Sequence, residues 1–356
     1  MTISEGITEA HSSHSILATA SKTQRIPALD FTKGILILLM VLYHWLNYFI
    51  ATEGDFYRYL RFVTPSFIFI TGFLISNVYL SKYEIFDGQL PKRLIQRGLK
   101  ILGVFIFLNI TTVFLVHESY SGKLLFDSLS IRNIIAIYVT GNVYTAGIGK
   151  AAVFHILVPI SYVLLLSAGL LIASRLYKYI FHFVCMGFLL CVLILDLYGF
   201  ESGNLDLLTI GLLGVTIGHV TIATINNIAR HPFMLGGAYL CYISAITVWN
   251  VIYPLQVVGV CLSLMLIYML GAKNAEPGKL RRHIILLGKY SLFGYLTQIA
   301  ILQIIYRGLQ HIDLGGSELA ISLIGAVILT MLTVELVDRA RARSTTLDGL
   351  YMAVFA

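Results

Sequence analysis

The sequence predicts an all-α, polytopic membrane protein of about ten transmembrane helices with both termini in the cytoplasm. Three observations predict it. Apolar residues make up 58% of the 356-residue chain and charged residues only 12%, where a soluble domain carries roughly a quarter. Uncharged runs long enough to cross ~30 Å of hydrocarbon recur from Gly34 almost to the C-terminus. Finally, basic residues concentrate in alternate loops, the pattern that fixes orientation in a bilayer.

The polar stretch over 1–24 reads as a flexible cytoplasmic tail, because it lacks the basic start, short apolar core and small-residue cleavage site of a secretory signal. A membrane domain over 25–340 follows. Its spans are expected near 34–50, 60–81, 99–116, 152–174, 181–199, 205–225, 233–250, 255–272, 284–306 and 318–337. The loops "SKYEIFDGQLPKRLIQRGLK", "SRLYKY", "ARH" and "GAKNAEPGKLRRH", with "DRARARS" near the C-terminus, are basic. Those between them, "EGDFYRY", "YGFESGNLD", "WNVIYPLQ" and "QHIDLGGSE", are acidic or nearly neutral. Ten crossings put every basic loop on the cytoplasmic side, together with the tail over 341–356; one crossing more or fewer breaks the alternation.

The segment 117–150 is too long and polar for a turn, and its "IRNIIAIYV" is too short to cross. It is expected to be an outer loop with an interfacial or re-entrant element able to cover a site. Gly211, Gly214 and Gly218 in "GLLGVTIG" suit close packing of two membrane helices. The four cysteines sit inside apolar runs without metal or disulfide spacing, no metal motif appears elsewhere, and the net charge of +7 needs no nucleic acid to explain it.

The chemistry-bearing residues begin in the first span. From Lys33 to His44 is eleven residues, which is three turns plus ~20°, so both side chains share a face ~16 Å apart along the axis. Asp30 and Asn47 join that stripe at three-residue spacing. Ionisable groups are costly in lipid and usually face a bundle interior or a wet cavity. His44 is therefore read either as a general base or as a structural histidine. Lys33 is either a cytoplasmic anchor paired with Asp30 or part of the entrance to a site.

"RIPALDFTKGILILLMVLYHW" resembles the opening helix of the integral-membrane acyltransferase-3 family, which includes bacterial O-acetyltransferases of cell-surface glycans. Arg25, Leu29, Asp30, Lys33, Gly34 and His44 carry that likeness in order and spacing. "FVTPSFIFITGFLIS" is similar to the family's second helix, "LPKRLIQRGLKIL" to the basic entry of its third, and "LGKYSLFGYLTQ" to its late signature. The departures are Lys33 for the usual Arg, Gln298 where a His is common, and no Trp at the start of the fourth span. The related heparan-type glucosaminide acetyltransferases share a similar first helix.

The resemblance implies an acyltransferase (transferring acyl groups other than amino-acyl groups) in the cell membrane. Its co-substrate would be an acyl-CoA, expected to be acetyl-CoA, with no bound cofactor. Its acceptor would be a hydroxyl of an exported or lipid-linked glycan. His44 would be the base, with Asp30 and Lys33 organising the entrance. Arg25, Arg93 and Arg97 are candidates for the phosphates of the donor, since guanidinium forks match phosphate oxygens; the plainer account of Arg93 and Arg97 is a positive-inside anchor. Asn47, Ser291, Tyr295, Gln298 and His155 are candidates for the acceptor path. Ser291, Tyr295 and Gln298 share one helical face and serve equally well for helix–helix hydrogen bonds. His155 suits a partner for the outer loop as well as a second base. Ser66 and Thr71 either donate to an oxyanion or bond back to helix carbonyls. Glu335 and Asp338 are expected to pair with Arg339 or Arg341. The same features also fit a proton-coupled transporter of a sugar or lipid, or a membrane sensor with an inert pocket.

Overall fold

A computed structural model describes residues 26–51, 54–79, 89–116, 130–143, 154–174, 176–177, 179–249, 251–273, 278–310 and 317–355. The N-terminal tail, Arg25 and most of 117–150 lie outside them. The described residues form helices α1 (Pro27–Phe49), α2 (Val63–Leu74), α3 (Gln89–Val116), α4 (Ile131–Thr140), α5 (Leu157–Ala173), α6 (Ile180–Leu197) and α7 (Gly203–Ile217). The order continues with α8 (Ile222–Ala229), α9 (Pro232–Val248), α10 (Tyr253–Ala272), α11 (Lys279–Lys289), α12 (Ser291–Leu309), α13 (Glu318–Arg343) and α14 (Thr345–Phe355). No strand occurs among the described residues.

Local chemistry sets many of the starts. Proline stands in the first turn of α1, α9 and α10, where its missing N–H costs nothing. Ser130, Ser202 and Thr221 accept from the backbone N–H three residues on and so cap α4, α7 and α8.

Seven described helices are long and apolar enough to cross a membrane, or eight if α7 and α8 count as one broken span. The surface agrees with that use: Phe107, Phe183, Leu240, Ile304 and Leu336 lie exposed around the bundle. Each expected span has a helix: α2 reaches span length over Asp55–Val78 only with the 3₁₀ and π turns at its ends, and α5 and α9 have 17 residues each. Two other expected spans are not single helices. The run over 205–225 ends at Ile217 and turns by 100° into α8. A side chain at Gly218 would stand 2.7 Å from the Phe73 carbonyl oxygen, and Thr221 then opens a new helix. The run over 284–306 breaks at Tyr290. Ile284 and Gly288 pack on Gly34 and Asp30, so α11 crosses closely over the first turns of α1. Beyond the break Gly294 meets Ile37 and Tyr306 meets Tyr48 and Phe49, so α12 runs parallel to it.

Two helices stand at the centre. α1 packs against α2, α10, α11, α12 and α13, and α2 against α1, α5, α7 and α10. The expected glycine stripe works as a seam: a Cβ at Gly214 would lie 2.1 Å from the Phe69 carbonyl oxygen, and one at Gly72 would lie 2.0 Å from that of Gly211. Contacts this close exclude any side chain larger than hydrogen.

The C-terminal tail is helical, and α13 carries through the expected boundary at 340 to Arg343. Arg341 donates to Asp348 and sets its guanidinium 3.9 Å from the Tyr351 ring centre. Glu335 pairs with Arg339 as expected, but Asp338 does not take an arginine. It accepts a 2.7 Å hydrogen bond from the Tyr290 hydroxyl, which itself accepts from Arg341. These bonds pin α14 to the α11–α12 break. Arg341→Ala should cost about 1–2 kcal/mol locally, the sum of a partly exposed ion pair and a cation–π contact. Amide exchange should then accelerate over 345–355 and stay unchanged in α1; uniform exchange in both would show that α14 is held elsewhere.

Candidate functional site

The C-terminal end of α1 collects several of the candidate residues. His44 is half-buried, and its imidazole meets the ring of Tyr43 edge-on at 5.4 Å and that of Tyr295 at 6.4 Å. Its Nε2 is buried without a hydrogen-bond partner. Tyr295 is 6% exposed and meets Phe154 edge-on at 6.4 Å. Gln298, one turn further along α12, is fully buried, and neither its oxygen nor its nitrogen has a partner. Asn47 accepts from the Tyr57 hydroxyl, and the Tyr57 ring packs on Tyr43. Trp45 turns the other way, and its indole N–H donates to Ser322 on α13 at 2.8 Å. The stripe on α1 therefore faces the interior at His44, as periodicity predicts.

α4 packs against α7 and is tied to His155, next to the Phe154 that meets Tyr295. Its last six residues are wound as a π-helix, which loosens the carbonyl ladder. The freed oxygens are taken by side chains of α5 and α7 and of the residues just before them. Asn204 donates to Ile137 at 2.9 Å, Tyr162 to Tyr138 at 2.7 Å and Ser202 to Thr140 at 3.0 Å. The His155 Nε2 lies 3.3 Å from the same Ile137 oxygen. His155 thus serves the loop, and its neighbour Phe154 carries that loop's edge to Tyr295.

At the other end of α1, Lys33 and Asp30 form a 2.6 Å ion pair with little exposure. Gly288 of α11 sits against Asp30: a Cβ there would come within 1.7 Å of the Asp30 carbonyl oxygen. Lys33 is thereby committed to its neighbour, and the pair belongs to the α1–α11 crossing. Arg93 and Arg97 lie on α3, Arg93 exposed and Arg97 half-buried, and the principal partner of α3 is α5. Its main packing does not bring them onto the α1 stripe. Beside Lys100 a groove of about 400 Å³ opens between α3 and α14. Ser66 and Thr71 bond back to Phe62 and Phe67 at 2.6 and 2.9 Å, leaving the oxyanion role without support. Ser291 is half-buried at the start of α12.

Sequence reasoning overlooked two groups. Tyr57 comes from a short 3₁₀ turn, Asp55–Tyr59, inside a stretch read only as an outer loop. The other is the exposed face of α11, where Lys279, Arg282 and Lys289 line up beside the mouth of α1. Their spacing of three and seven residues was the available signal, hidden because 284–289 continues into an apolar run.

Among the described residues these features define a helical protein with seven helices fit to cross a membrane, an unpartnered imidazole nitrogen near the end of the first and an unpartnered carboxamide on α12. No family profile matches the chain, and no curated protein or solved structure matches it either.

Proposed function

We propose that the protein is a membrane-embedded acyltransferase that moves an acyl group, in its simplest form acetyl, from a cytoplasmic acyl-CoA to a hydroxyl of a glycan or lipid-linked sugar. One observation carries the reading: a base packed among the rings of Tyr43 and Tyr295 with its Nε2 buried and unpartnered, and a second unpartnered buried group, the Gln298 carboxamide, one turn beyond Tyr295. A buried polar atom without a partner costs ~1–3 kcal/mol, so such atoms are kept where a ligand uses them. The resemblance of the first helix to the acyltransferase-3 family supplies the reaction.

In that reaction the acceptor hydroxyl gives its proton to His44 as its oxygen bonds to the thioester carbonyl carbon. The C–S bond then breaks, and the departing thiolate takes the proton from the imidazolium. Acyl-CoA plus alcohol thus becomes ester plus free thiol. The chain crosses the plasma membrane ten times in this reading, with α5, α9 and the broken α7–α8 pair among the crossings and both termini cytoplasmic. The basic loops support that orientation. The donor's phosphates would meet Arg25, Arg93 and Arg97, joined by the exposed cations of α11.

Purified protein in lipid nanodiscs, given radiolabelled acetyl-CoA and cell-envelope glycans, should pass label to the glycan. Label that stays wholly in acetyl-CoA and its hydrolysis product rejects the proposal. The 100° break between α7 and α8 favours one rival, proton-coupled transport, because transporters bind substrates at interrupted helices. That rival predicts sugar accumulation in proteoliposomes under a proton gradient without acyl-CoA.

A further inference from the structure

The groove between α3 and α14 is walled by Lys100, Gly103, Val104 and Phe107 on one side and by Ala353 and Val354 on the other. On α3, positions 93, 97, 100, 104 and 107 recur at alternate steps of four and three, so they share one face. That face changes character along its length. Arg93, Arg97 and Lys100 make its first part cationic, and Val104 and Phe107 make the next part apolar. Each part is ~10 Å long at 1.5 Å per residue. α14 turns Tyr351 and Phe355 inward onto the ring of Phe293, while its Leu347, Leu350 and Met352 stay exposed. α3 is one of the helices fit to cross a membrane, so whatever reaches Val104 and Phe107 arrives from lipid.

Size and charge narrow the occupant. A helix of another chain is ~10 Å across, and a groove of about 400 Å³ would hold scarcely one turn of it. A hydrocarbon chain is thinner and asks for no hydrogen bonds. Among lipids, a zwitterionic headgroup brings an ammonium that Lys100 repels, whereas an anionic one offers its phosphate without that opposition. We propose that the groove binds an anionic phospholipid, one acyl chain lying along Val104, Phe107 and Val354 and the phosphate meeting Lys100. Lys100 carries the assignment, because the donor site proposed above does not use it; Arg93 and Arg97 add positive field at the mouth. The lipid would tie α14 to α3, as Arg341 ties it to α13.

Phe107→Trp places a reporter in the groove. Trp249→Phe removes the exposed native indole, and the same protein with Phe107 retained gives the background from Trp45. Single copies in phosphatidylcholine nanodiscs are doped with lipid brominated on its chains, either phosphatidylglycerol or phosphatidylcholine. Quenching by brominated phosphatidylglycerol should saturate at a mole fraction about fivefold lower, the effect of one cation beside an anionic lipid. Lys100→Gln should bring the two lipids together. Gly103→Leu should abolish the saturating phase, since a Cβ there meets nothing within 4 Å and the leucine enters the groove without displacing a neighbour. In the parent chain, amide exchange over 345–355 should slow as unbrominated phosphatidylglycerol is added, and in Lys100→Gln it should not.

Equal quenching by the two lipids at every mole fraction overturns the proposal, because ordinary contact with the bilayer gives that result. Absence of quenching by either lipid overturns it as well, by showing the groove closed or filled by protein. A preference for phosphatidylglycerol that survives Lys100→Gln places the anion elsewhere and also overturns it. The exchange measurement on the parent chain decides the matter should the tryptophan variant fail to fold: exchange over 345–355 that ignores phosphatidylglycerol overturns the site.

Discussion

Gly288→Ala is expected to cost more stability than any other single methyl group added to the described glycines. The new Cβ would stand 1.7 Å from the Asp30 carbonyl oxygen and 2.9 Å from the Gly34 nitrogen, both backbone atoms that no rotamer change can move aside. Alanine gains ~1 kcal/mol over glycine in helix propensity. Overpacking of a tight core typically costs ~1–3 kcal/mol, and a backbone clash belongs at or above the top of that range. The steric term therefore wins. Relief requires α11 to move away from α1, which drags the buried Asp30–Lys33 pair out of its seat. Gly34→Ala strikes the same crossing from the other side, 2.0 Å from the Ile284 oxygen, and should have an effect of the same order. Gly308→Ala meets nothing within 4 Å and supplies the control: it should be neutral or slightly stabilising. Thermal unfolding in detergent checks all three. Equal melting temperatures for Gly288→Ala and Gly308→Ala would show that α1 and α11 do not approach as closely as the structure has them.

The membrane class was legible because composition and run length reflect solvent, and lipid leaves no other way to fold so apolar a chain. The Gly211, Gly214 and Gly218 seam was legible because close approach needs glycine wherever it occurs. Periodicity turned His44 inward because an α-helix has one period. What stayed hidden has a common cause. The break at Tyr290 interrupts a stretch that hydropathy reads as one run. The break depends on Asp30 receiving Gly288 and on Asp338 receiving the Tyr290 hydroxyl, contacts between residues far apart in the chain. Asp338 was assigned an arginine from its sequence neighbours, yet its partner lies 48 residues away. Tyr57 reached Asn47 through a 3₁₀ turn that no apolar pattern announces.

If the protein is the acyltransferase proposed above, His44→Leu should abolish acyl transfer and at the same time raise the melting temperature. The two effects come from one atom. Removing a general base typically costs ~10²–10⁴ in rate, and the loss should fall on kcat, because the imidazole acts on the acceptor proton and not on the donor's phosphates. In the protein alone, however, the buried Nε2 has no partner, a liability of ~1–3 kcal/mol that leucine removes. Leucine also keeps most of the apolar contact with the rings of Tyr43 and Tyr295. On the acyl-transfer reading, then, the side chain that function requires is one that stability would discard. His44→Gln separates the components: it keeps a polar atom in the site but supplies no base, so it should lose activity without gaining stability. A His44→Leu protein that melts well below the parent would mean that Nε2 is already engaged within the fold, and a His44→Leu protein that still transfers label would remove the imidazole from the chemistry.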